Sequence, residues 1–166
     1  MSNVLNASEI IDFAVYIEQN GYKFYIETMK KFKDNRVMEL FQYLADEELR
    51  HENTFKNLLK KVGSFTPHES YPGEYEAYMK DFLKIHALGN AEALKNKIAS
   101  IQSVDDAVNV ALEFEKDSIV LFTLVKKYIG TKGDDIVDKI IQEELTHIYK
   151  INNFYRDLKN PQPVDA

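Results

Sequence analysis

Two stretches decide how this chain folds: Leu44-Ala-Asp-Glu-Glu-Leu-Arg-His51 and Ile141-Gln-Glu-Glu-Leu-Thr-His147. Both spell Glu-Glu-Leu-x-His, although the chain holds only four histidines in 166 residues. Glu48 and His51 stand at i and i+3, as do Glu144 and His147, so each pair shares one face of a helix. Leu44, Phe55 and Leu58 continue the first face, and Ile140, Ile141, Ile148 and Ile151 continue the second. Apolar neighbours at helical spacing predict that both motif faces point inward.

Working outward, the first motif sits on a segment with Val37, Leu40, Phe41 and Leu59 at helical period, ending near Gly63. A charged turn, Lys33 to Arg36, separates it from an earlier helix. That helix is expected to be capped by Ser8 and to run to about Phe32 through Ile11, Ala14, Val15, Ile17 and Phe24. The second motif lies on a helix from Asp134 to about Leu158. The turn Gly130–Gly133 precedes it, and before that comes a helix capped by Ser103, with Asp105 and Asp106 where the dipole favours acids. Between the hairpins, 63–73 reads as loop, Glu74 to His86 as a short helix and Ala91 to Ile101 as another. Tyr71, Tyr75, Tyr78 and Phe82 in this crossover are expected to cover the bundle or to form a dimer contact. The expected architecture is all-α: a four-helix bundle of two antiparallel hairpins joined by one long crossover. It is expected as a single domain over residues 1–160, with 161–166 as a flexible tail.

Composition narrows the function classes. A net charge of -6 without a basic stripe argues against nucleic acid. No run approaches the ~18 apolar residues of a membrane span, and the first residues lack the pattern of a signal peptide, so a cytoplasmic location is expected. Zero cysteines leave no disulfide, no thiolate nucleophile and no cysteine-held metal.

The hairpins also resemble each other. Ala14-Val-Tyr-Ile-Glu18 precedes Phe24 and Tyr25, and Ala111-Leu-Glu-Phe-Glu115 precedes Leu121 and Phe122. Glu18 and Glu48 are 30 residues apart; Glu115 and Glu144 are 29 apart. At ~1.5 Å per residue on either side of each turn, the paired glutamates fall within about one helical turn of the same level. Four carboxylates and two imidazoles would then meet inside an apolar bundle. Desolvation and mutual repulsion forbid four bare carboxylates there, whereas two divalent cations would neutralise them. Oxygen donors with one imidazole per ion suit iron, manganese or a mixed pair. The alternative is a plain bundle whose Glu and His pairs face water or each other.

Neighbouring residues have two readings each. Glu47 and Glu143 either accept the Nδ1 proton of a metal-bound histidine across the bundle or are exposed helix glutamates. Tyr22 and Tyr25 are either core tyrosines or partners of a ligand carboxylate. Glu113 belongs to the opposite helix face. His68 and His86 read as surface residues, and Glu9, Glu39 and Glu52 as solvated charge.

IEQNGYKFY (17–25), LADEELRHENTF (44–55), FEKDSIVLF (114–122) and IIQEELTHIYK (140–150) together resemble the rubrerythrin branch of the ferritin-like superfamily. The resemblance implies a non-haem diiron bundle, often dimeric, that reduces hydrogen peroxide or reacts with O2. It also implies Glu18, Glu48, His51, Glu115, Glu144 and His147 as metal ligands to two iron ions. Rubrerythrins often carry a rubredoxin module on four cysteines. Without cysteine, this chain is expected to take electrons from a separate donor protein. Such proteins also tend to carry another Glu one turn after the third-helix ligand, where this chain has Ser118, and that departure bears on redox cycling. Metal binding without turnover and oxygenase activity are the alternative functions.

Overall fold

The computed structural model describes residues 6–62 and 73–160. Six α-helices carry them: α1 (Ala7–Met29), α2 (Asn35–Val62), α3 (Glu74–Ile85), α4 (Ala91–Ser100), α5 (Val104–Ile129) and α6 (Asp134–Lys159), with one 3-10 turn at Gly130–Lys132. No strand occurs among the described residues. The expected all-α bundle is therefore present: α1 packs chiefly on α2 and α5 on α6, and the hairpins meet along α1 and α5. The loop expected at 63–72, with His68 and Tyr71, and the tail at 161–166 lie outside the described residues.

Local chemistry sets the helix starts. Asn6, not Ser8, caps α1: its Oδ1 accepts from the Glu9 amide at 3.0 Å, and Glu9 Oε2 accepts from the Asn6 amide at 2.8 Å. Glu9 thus closes a capping box, a more specific task than the solvated charge expected of it. The helix ends at Met29, three residues short of expectation. Ser103 caps α5 as expected, in a second capping box with Asp106. Asp34 starts α2 by accepting from the amides of Arg36 and Val37 at 2.9 and 3.4 Å.

The core fills the space between the four long helices with Ile10, Ile17, Phe24, Phe41, Leu44, Phe55, Phe114, Phe122 and Ile151, all at most 1 % exposed. The crossover lies over this core through buried Met79, Ala87, Leu88 and Leu94, and Tyr75 stacks on Tyr128 of α5 at 4.0 Å. His86 is not the surface residue expected from its sequence position. It is 2 % exposed, edge-on to Phe82 and Phe114, and its Nδ1 accepts from the Leu88 amide at 3.1 Å. The tight turn after α3 pulls it inward: Ala87 donates its amide to Asp117 on α5, and Asn20 on α1 donates to the Leu88 carbonyl, both at 2.8 Å. No described helix is long and apolar enough to cross a membrane.

Candidate metal centre

Glu18 on α1, Glu48 and His51 on α2, Glu115 on α5, and Glu144 and His147 on α6 are all at most 1 % exposed. All six converge midway along the bundle. The two imidazoles lie face to face, with ring centroids 5.5 Å apart and planes 20° apart. Glu144 sits between them, its Oε1 3.0 Å from His51 Nδ1 and its Oε2 2.8 Å from His147 Nδ1. Glu18 Oε1 is 3.7 Å from His51 Nδ1, and Glu115 Oε2 is 3.4 Å from His147 Nδ1. Two overlapping groups result, Glu18–Glu48–His51–Glu144 and Glu48–Glu115–Glu144–His147. In each, one ligand atom per residue lies within 4.8 Å of the others, so Glu48 and Glu144 are common to both.

The donor set asks for cations. Both oxygens of Glu18, Glu48 and Glu144, together with His51 Nδ1, are buried without a hydrogen bond; the 3.0 Å approach of Glu144 to His51 Nδ1 is out of line for one. A native core seldom leaves so many polar atoms orphaned. Burial first, then the charges of the neighbouring carboxylates, raises Glu48 well above the usual carboxylate range. Glu18 is raised chiefly by burial. Glu115 is pushed up to about 8 by burial and by Glu144. Glu144 goes the other way: burial would raise it, but His147 and His51 hold it down. Burial would lower His147, yet Glu115 and Glu144 push it up to about 12. Protons thus gather wherever a positive ion would serve, and a hard-oxygen, imidazole cage of this kind fits a pair of divalent ions.

Outside the cage, His51 Nε2 meets Glu143 Oε2 at 3.0 Å, and His147 Nε2 is 3.6 Å from Glu47 Oε2. Each contact crosses between α2 and α6 as expected, but through Nε2. Nδ1 is the atom turned toward the cage, which corrects the expected tautomer. Arg50 went unremarked in the sequence. Its Nη2 lies 2.7 Å from Glu47 and 3.1 Å from Glu143, so one guanidinium ties both outer carboxylates together. Its position three residues after Glu47 was the available signal. Glu47, His51 and His147 also form a metal-like grouping, but it reuses both imidazoles and lies beside this guanidinium.

Tyr25 is fully buried and donates its hydroxyl to Glu115 Oε1 at 2.5 Å. Tyr22 does neither of the things expected of it: at 36 % exposed it faces outward. Glu52 is also corrected. It is 8 % exposed, accepting from Gln19 at 2.8 Å and pairing with Lys56. Glu39 and Glu113 are exposed as expected, and Glu113 pairs with Lys97 on the outer face.

Buried Glu from two helices and Glu-x-x-His from two others define the ferritin-like class of carboxylate-bridged dimetal bundles. The rubrerythrin family model matches residues 9–155, and the chain belongs to that family. A crystal structure from Thermotoga maritima, described as that of a candidate ferritin-like diiron-carboxylate protein, shares the fold. Its TM-score is 0.63 at 22% identity, over 95% of this chain and 99% of that one. No curated protein matches the chain.

Proposed function

We propose that Glu18, Glu48, His51, Glu115, Glu144 and His147 hold two iron ions, with manganese as the competing metal. In this reading the loaded site reduces hydrogen peroxide, or reacts with O2, using electrons from a separate donor protein. The observation that carries the reading is the dry cage itself: four carboxylates and two imidazoles, most of their inward atoms unpartnered. Peroxide reduction needs two electrons and two protons per O–O bond broken, and the chemistry an iron pair supplies when bound is the two electrons and a Lewis acid.

The chain supplies the rest. Glu143 keeps the Nε2 proton of His51 on the outer side through a 3.0 Å hydrogen bond, and the charge of Glu47, 3.6 Å from His147 Nε2, favours the same tautomer there, which leaves both Nδ1 atoms to ligate. Tyr25 holds a proton 2.5 Å from Glu115 Oε1, where it can be passed to the cage. Phe24, Phe55, Phe114 and Phe122, all fully buried, keep bulk water from the surrounding interior. With no cysteine, the chain holds no thiolate-bound relay iron of its own, which is why a separate donor is proposed. The protein is proposed to act as a cytoplasmic homodimer, to be checked by gel filtration.

The test is rapid mixing of anaerobically reduced, iron-loaded protein with hydrogen peroxide. Oxidation of the iron within seconds is expected. Iron that stays ferrous ends the peroxidase reading and favours metal binding without turnover, for which Ser118 in place of a further carboxylate is the motivating residue.

A further inference from the structure

The internal repeat allows the two halves of the cage to be compared residue by residue. Glu18 in IEQNGYKFY corresponds to Glu115 in FEKDSIVLF, seven residues before Tyr25 in one and before Phe122 in the other. The hydroxyl that Tyr25 gives to Glu115 on the facing helix therefore has no counterpart on the other side. Glu115 is held at Oε1 by Tyr25, while its Oε2 faces His147 Nδ1 across 3.4 Å, two atoms placed to share an ion. Glu18 has no donor from outside the cage on either oxygen; the Glu48 carboxyl beside it is itself a cage residue. Ser118 does not supply one, since its buried Oγ is itself without a partner, and Phe122 is fully buried with its ring tilted against Phe55 at 5.0 Å.

We infer that the two metal positions are unequal: the Glu115–His147 position is pre-organised by Tyr25 and fills first, while the Glu18–His51 position has an untethered carboxylate and fills second. This rests on the metal-binding reading above. A carboxylate whose free oxygen is already tied needs no ordering when an ion arrives, and loss of such an outer partner typically costs about 10–100-fold in affinity. The Tyr25/Phe122 difference is thus a built-in order of loading and release, with Glu18 as the carboxylate free to move.

The experiment is an anaerobic titration of the metal-free full-length protein with cobalt(II), followed by visible absorption and calorimetry. Two ions per chain in two steps at least about tenfold apart are expected. His147→Ala should remove the first step and His51→Ala the second. Tyr25→Phe, which deletes only a hydroxyl, should weaken the first step by about tenfold or more and leave the second in place. Phe122→Tyr should tighten the second. Circular dichroism checks that each variant is folded; should Phe122→Tyr fail to fold, Tyr25→Phe decides alone. Two ions bound with equal affinity, or an unchanged ratio in Tyr25→Phe, would overturn the inference while leaving the dimetal reading intact. Fewer than two cobalt ions per wild-type chain would remove both.

Discussion

Arg50 shows how one side chain joins two halves of the site. Its guanidinium touches Glu47 and Glu143, and each of those carboxylates faces the Nε2 of one cage histidine. Because Arg50 is 43% exposed at its side chain, its ion pairs are screened and contribute at most ~1 kcal/mol to stability. Its influence on the metal is larger, since it fixes the groups that fix the imidazoles. Arg50→Gln is expected to shift the melting temperature by only a few degrees and to weaken cobalt(II) binding about tenfold, measured by competition with a chromophoric chelator. An unchanged affinity would mean the outer carboxylates hold themselves in place. His86 gives a residue-scale prediction in pH. Burial lowers its pKa from 6.5 to about 4, so the unfolded chain binds its proton first as pH falls. Its contribution is complete above about pH 6.5 and is lost between there and about pH 4, amounting to about 3 kcal/mol. His86→Gln cannot titrate, so the stability difference between wild type and variant, measured by urea unfolding, should shrink by about that amount from pH 7 to pH 4.

At the scale of the helix, Gly21 sets the distance between α1 and the rest of the cage. A Cβ there would come within 2.7 Å of Phe114 Cε1 and 3.3 Å of Glu48 Cγ. Phe114 has no room to retreat, being packed edge-on to both Tyr25 and His86. Alanine would gain ~1 kcal/mol of helix propensity but would cost ~1–3 kcal/mol in overpacking. Gly21→Ala is therefore expected to lower stability by about 1 kcal/mol in chemical denaturation; a gain would show that Phe114 gives way. These element-level features mark what could be read from the sequence. The six cage residues, the four long helices and the Ser103 cap were legible, because i, i+3 spacing and apolar periodicity are local properties of a helix. Asn6 as the α1 cap, the burial of His86 and Glu52, and the Nε2 contacts were not. The Asn6 cap had a local signal, Glu9 three residues on, that the nearby Ser8 obscured; the others depend on partners brought close only by folding: Asn20 and Asp117 at the turn after His86, Gln19 beside Glu52, and Glu143 opposite His51.

For the whole molecule, the cage is a region of electrostatic conflict placed at the centre of an otherwise apolar core, and this makes stability depend on metal. Without cations, the bundle keeps four carboxyl groups dry, three of them pushed toward protonation by burial and by each other. Ions that bind only the folded chain stabilise it by mass action, about 2.7 kcal/mol at a hundredfold excess over Kd. In a chain of this length that raises the melting temperature by roughly 5–10 °C. A variant that removes charge should reverse both sides of this balance. Glu18→Gln with Glu48→Gln exchanges two buried carboxyls for neutral amides of similar shape, so the metal-free protein should melt higher than metal-free wild type. The same variant should gain nothing from added iron(II) or cobalt(II), having lost a ligand from each position. Parallel melting scans of both proteins with chelator and with metal measure both effects. A wild-type melting temperature that ignores metal, or a double variant that melts lower without it, would show that the buried carboxylates are satisfied by protons and not by cations.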